Sequence, residues 1–183
     1  MKKKILSMIL VITVLFMGMI TVNAKETDNT STDGNIQIEV ISKGSSPKEF
    51  FDNPSDVLNS SFRSTSKPTK HWNLASKDYT GNLIEVRASW LYTNYYFSPN
   101  NSGTLNLDYN ISPINMNGTK MKIGIYNKST DKFVKYYTTG GVPTAACIRV
   151  TGLNKNQHYA FAFTAVRDPN AYNGIRGTIR VYH

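Results

Sequence analysis

The sequence predicts an all-β protein. Residues 71–183 read as an antiparallel, jelly-roll-like β-sandwich of about eight strands, preceded by a short N-terminal segment with one strand and short helical turns. Three observations predict it. Apolar and polar residues alternate with a period of two beyond His71, which puts one side of each segment in a core and the other outside. Turn-forming clusters recur about every 8–12 residues, the spacing of sandwiches and barrels. Long helical periodicity is absent, and the single cysteine, Cys147, cannot staple the fold, so a core between two sheets must hold it alone.

The chain opens with a basic MKKK, an apolar run from Ile5 to Ile20, and Val22-Asn23-Ala24, with small residues at the positions a signal peptidase reads. The run is shorter than the ~20 residues of a spanning helix. Residues 1–24 are therefore expected to be a signal peptide and the protein secreted; the alternative is an uncleaved anchor. No cysteine stands there to take a lipid. The signal holds three lysines and no acid, so the rest carries 18 Lys+Arg against 12 Asp+Glu, or +6. Outside a cell that charge suits cell-wall polyanions, acidic polysaccharide or anionic lipid. Its alternative role is solubility.

Residues 25–35 form a polar tether. IQIEVIS, residues 36–42, alternates as a strand with Ile36, Ile38 and Val40 on one face. Ser46-Pro47-Lys48-Glu49 and Asn53-Pro54-Ser55-Asp56 have the form of helix starts, each with a cap and a proline at the first helical position. Residues 59–70 are Ser/Thr/Lys-rich and read as a linker.

In the sandwich region Ile84, Val86, Ala88, Trp90 and Tyr92 share one parity, and the phase shifts at Thr93-Asn94. PNNSG, residues 99–103, is a turn. Leu105 to Ile111, then Met121, Ile123 and Ile125, alternate as strands, and the second ends in the turn NKSTDK. Residues 133–138, 146–151 and 159–165 follow. The third is apolar on both faces, as a central strand should be. The last strand has Ile175, Ile179 and Val181 inward and Arg176 and Arg180 outward.

ASWLYTNYYFSP, residues 88–99, carries five aromatic side chains. Trp90, Tyr92, Tyr95 and Phe97 are expected in the core, with Tyr96 outside by parity. Tyr126, Tyr136 or Tyr137, and Tyr182 are further candidates for exposure.

The stretch from YYFSPNNSGTLNLDYNIS through MKIGIYNKSTDKFV to YAFAFTAV resembles bacterial pre-peptidase C-terminal (PPC) secreted domains over roughly residues 92–182, half the chain. The resemblance implies a jelly-roll-like sandwich that accompanies a hydrolase. The family's "IY" strand starts with acidic residues, where this chain has Met121-Lys122-Ile123-Gly124, so the family's metal role is not carried over.

Catalytic motifs are sparse. No GxSxG elbow, HExxH, Asp-rich calcium loop or phosphate loop is present. Glu85 and Asp108 lie on strand faces with nothing linking them as a carboxylate pair. Of the histidines, His71 follows the linker and His183 is last in the sequence, so no metal site and no cofactor is expected. Cys147 with His158 is the one conceivable nucleophile and base, and Asn154, Asn156 or Asp168 could orient it. The competing reading of Cys147 is a small buried hydrophobe. The basic residues are the better lead: Arg149, Arg176 and Arg180, with Tyr182 and the outward Tyr96, form a candidate ligand-binding set on a sheet face. A merely solvated face is its alternative. The expected function is a secreted, non-catalytic protein that binds an extracellular anionic polymer or polysaccharide. A secreted toxin or antimicrobial effector acting on membranes is the second reading. A nucleic-acid partner is not expected, because the charge is spread and no basic run follows the signal.

Overall fold

Alternating side chains need two pleated layers to close over them, and the chain supplies two. The computed structural model describes residues 35–43, 61–62, 65–115, 118–142, 144–166 and 174–183. The expected signal peptide, most of the tether, the two helix starts and Asp168 lie outside the described residues.

Among the described residues there are twelve strands: β1 (Gln37–Lys43), β2 (Ser61–Phe62), β3 (Lys70–Trp72), β4 (Tyr79–Val86), β5 (Leu91–Tyr92), β6 (Tyr95–Phe97), β7 (Leu105–Pro113), β8 (Lys120–Asn127), β9 (Lys132–Gly141), β10 (Thr144–Thr151), β11 (Tyr159–Ala165) and β12 (Ile175–Tyr182). The first sheet runs β1-β10-β7-β12-β4-β2. The second runs β3-β6-β11-β8-β9, with β5 also paired to β11. Pairing is antiparallel except for β2 with β4 and β3 with β6. The sheets pack face to face as a β-sandwich around a single main core, which takes Leu105, Leu107, Tyr109 and Ile111 from β7, Ile148 and Val150 from β10, and Met121, Ile123, Ile125, Phe161 and Phe163 from β8 and β11.

Turn chemistry follows the sequence. In PNNSG the Asn100 side chain accepts from the backbone N–H of Ser102 and Thr104, both at 3.0 Å. Gly103 sits at φ +71, a conformation open to glycine without strain. In NKSTDK the Asn127 side chain accepts from Ser129 N–H at 2.8 Å, and its amide donates to Gln157 at 2.7 Å, which ties the β8–β9 turn to the loop before β11.

Three expectations need correction. First, Ile84 does not face the core. Glu85 adopts φ 57, and the β4–β12 register shifts between Ile175 and Gly177. This bulge inserts one residue, so Leu83 and Val86 point inward at 1 % exposure while Ile84 is 43 % exposed. Ala88 beyond it is also exposed. Second, Trp90 and Tyr92 belong to a separate cluster on the outer side of the second sheet, while Tyr95 and Phe97 pack with the main core. Third, the N-terminal strand and part of the supposed linker are edges of the sandwich. β1 pairs with β10, Ser61–Phe62 pairs with β4, and Lys67 reaches Asp131 at 2.8 Å.

Candidate functional site

Two outer faces remain once the core is closed, and the candidate residues divide between them. On the first sheet, Cys147, Asp108, Arg180 and Thr80 stand in one cross-strand row. Glu39, Arg149, Asn106 and Tyr182 form the next. Arg149, Arg176, Arg180 and Tyr182 therefore share a face as expected, although β7 separates the Arg149 strand from β12. Tyr96 does not join them. It lies on the outer face of the other sheet and is buried, at 4 % exposure, because rings beside it cover it.

The first-sheet face is largely self-satisfied. Arg180 donates to Asp78 Oδ2 from Nε at 2.9 Å and Nη2 at 2.6 Å, and its guanidinium lies 4.8 Å above the Tyr182 ring. The Tyr182 hydroxyl donates to Asp108 Oδ1 at 3.1 Å and sits 3.2 Å from the Cys147 sulfur. Arg149 Nε points at Asn106 Oδ1 at 3.4 Å and is paired across the strand with Glu39. Arg180 is thus ion-paired with Asp78 and stands beside Asp108 across the strand, and Arg149 stands beside Glu39. Asp108 is buried, and its Oδ2 has no hydrogen-bond partner. Burial raises its pKa, against hydrogen bonds from Cys147 and Tyr182 and the charge of Arg180.

Cys147 faces outward from its strand yet is buried beneath this network. Burial first, and the Asp108 carboxylate second, push its thiol up to about 11. A thiolate nucleophile needs the opposite environment. His158 precedes β11 on the other sheet, so the Cys147–His158 pair is not formed.

The second sheet presents a different surface. Its central strands carry small outward residues, Ala160 and Ala162 on β11 and Gly124 on β8. Rings from neighbouring segments lie over that floor. Ala162 pairs with Tyr92 on one side and with Gly124 on the other, and Gly124 pairs with Tyr136. A Cβ on Gly124 would stand 2.6 Å from Phe133 and 3.2 Å from Trp90, so glycine is what lets those rings lie down. Trp90 and Phe133 centroids are 4.7 Å apart, Phe133 and Tyr136 5.3 Å, Tyr92 and Phe133 6.0 Å, and Tyr92 and Tyr126 5.6 Å. Trp90, Phe133 and Tyr136 are half-buried and so keep surface open to solvent.

Ammonium groups edge the rings. Lys122 Nζ lies 4.3 Å from the Tyr136 centroid, Lys67 4.9 Å from Tyr126 and Lys128 5.0 Å from Tyr96. Asp131 is the carboxylate at this edge, held below the usual carboxylate range by Lys67 and the Tyr126 hydroxyl. Burial raises the Tyr92, Tyr96 and Tyr126 phenols, so these hydroxyls stay protonated.

One end of this face gathers side chains that the sequence keeps far apart. β3 pairs with β6 so that His71 is opposite Tyr96. Ser98 follows Tyr96 on the same side, and its Oγ lies 3.0 Å from His71 Nε2 and 3.0 Å from His158 Nδ1. The two imidazole centroids are 4.7 Å apart. His183 Nε2 contacts the Ser98 carbonyl at 3.0 Å. Sequence reading sets these histidines aside because His71 follows the linker and His183 is last in the sequence; the shared parity of Tyr96 and Ser98 is the available signal.

Among the described residues no group of three or more His, Cys, Asp or Glu is arranged to hold a metal ion, and no helix is long and apolar enough to cross a membrane. Comparison with family models, curated proteins and solved structures finds no match to this chain.

Proposed function

We propose that this is a secreted, non-catalytic binding protein that holds an extracellular anionic polysaccharide against the outer face of its second sheet. The observation that carries the reading is the aromatic pavement over Gly124, Ala160 and Ala162, edged by Lys67, Lys122 and Lys128. Sugar rings present C–H faces that settle on aromatic rings, and their carboxylates or sulfates pair with ammonium groups. The arginine face of the first sheet is the weaker candidate, because Arg180 is already ion-paired with Asp78 and Arg149 stands opposite Glu39.

Affinity electrophoresis through gels cast with polygalacturonate or an uncharged glucan tests the reading. Retardation by polygalacturonate is expected, weakening as added salt screens the lysines. Trp90→Ala should weaken binding at least about fivefold, since one ring contact is worth about 1 kcal/mol. Arg149→Glu with Arg176→Glu should leave it nearly unchanged. Equal mobility in every gel, or undiminished retardation of Trp90→Ala, would overturn the proposal.

A further inference from the structure

We propose that His71, Ser98, His158 and Lys128 form an anion-binding subsite that takes a carboxylate or phosphate group and tightens as the solution becomes more acidic. The subsite adjoins the aromatic face but rests on its own observation, two imidazoles converging on one hydroxyl with an ammonium group alongside.

Ser98 Oγ carries one proton, so with neutral rings it donates to one histidine and accepts an N–H from the other. When both rings are protonated, each directs an N–H at Ser98 Oγ. The serine proton is then free to point away and bind something else. Two cations with centroids 4.7 Å apart repel. His71 lies on β3, Ser98 follows β6, His158 precedes β11, Lys128 follows β8, and His183 after β12 contacts the Ser98 carbonyl. The charges that act on His71 are those of His158 and Lys128, both of cationic type. Its pKa is lowered, by burial first and by those two groups after it, so His71 resists protonation. An anion supplies a countercharge. By linkage, the species that binds best is the doubly protonated one, and the anion in turn must raise both histidine pKa values.

The test is a pH titration of the purified protein by NMR of the imidazole C–H signals. It is run alone, with inorganic phosphate, with galacturonate, and with glucose. The His71 and His158 midpoints should rise with phosphate, galacturonate or both, and whichever anion acts identifies its source. Glucose should do nothing, and His183 should move little. A rise of one pH unit corresponds to about tenfold tighter binding to the protonated site than to the neutral one. Lys128→Gln, an exposed change, should shrink the rise; Ser98→Ala should shrink it while leaving both rings to titrate. Unmoved His71 and His158 midpoints, or equal movement of all three histidines, would overturn the subsite. Polygalacturonate retardation that persists in that case would leave the aromatic face standing, and its absence alongside moving midpoints would sink the aromatic face alone.

Discussion

Gly124→Ala is the smallest change that separates the aromatic pavement from the core beneath it. The added Cβ would lie 2.6 Å from Phe133 Cε1, 2.7 Å from Cδ1 and 3.2 Å from Trp90 Cζ3. Carbon atoms pack best at about 3.5–4.0 Å, so the Phe133 ring must retreat by roughly 1 Å and Trp90 by a few tenths. Overpacking a closed core costs about 1–3 kcal/mol. Phe133 and Trp90 are half-buried and can lift toward solvent, which places the cost near the low end. Replacing glycine within a strand returns about 0.5–1 kcal/mol. The two nearly cancel, and a melting temperature within about 3 °C of the parent is expected. Binding should respond far more, because a displaced Phe133 breaks the close packing of the Trp90–Phe133–Tyr136 series. The assay pairs thermal unfolding with polygalacturonate retardation and Trp90 emission. A shifted emission with a preserved melting temperature and several-fold weaker retardation is the expected result. A shifted emission with parental retardation would show that the pavement's shape does not matter, and would refute the reasoning.

Two further outcomes follow from burial. Phe161→Ala, which removes a ring 1 % exposed and 6.3 Å from Phe97, should cost about 3–5 kcal/mol in denaturant unfolding; a loss under about 1 kcal/mol would mean the sheets do not close as described. Asp108→Asn should stabilise the protein by about 1 kcal/mol at pH 7, since it replaces a buried carboxylate whose Oδ2 lacks a partner with a neutral amide. The sign follows from the raised pKa: the folded state holds the Asp108 proton more tightly than the unfolded state does, so stability falls as pH rises from the ordinary carboxylate range through the folded value. The advantage of the amide should therefore shrink as the pH is lowered toward 4 in melts of both proteins, and an advantage that grows would contradict the assignment.

Strand existence was legible because period-2 alternation needs only local sequence. β7, β8, β11 and β12 all keep the inward residues read from parity. Parity failed where the chain gained a residue. The bulge at Glu85 leaves no mark in a string of letters, so Ile84 was assigned inward when it faces out. Trp90 and Tyr92 turn outward for a different reason: the chain passes from β4 in the first sheet to β5 in the second, so the parity of Val86 does not carry over. Tyr96 was placed on the correct side, yet its burial depends on neighbours from other strands, which parity cannot supply. The histidine–serine cluster depends on a parallel β3–β6 pairing and on the approach of the β11 and β12 ends, contacts that join residues far apart in the chain.

The two outer faces differ in what their neighbours do with polar groups, and that difference decides between them. On the first sheet, residues of opposite charge share cross-strand rows, Asp108 beside Arg180 and Glu39 beside Arg149, and Arg180 also pairs with Asp78 just before β4. Its polar atoms are turned inward on one another, and a ligand would have to break Arg180 from Asp78 before using it. On the second sheet, small residues on β8 and β11 hold the rings close to the backbone, and the lysines meet ring faces in place of carboxylates at Lys122 and Lys128. A cation over a ring keeps its charge, whereas a cation beside a carboxylate is neutralised. The second face therefore offers apolar area and net positive charge together, the combination an acidic sugar polymer requires. It is Gly124, Ala160 and Ala162, by leaving room above the sheet, that turn some of the rings into a surface.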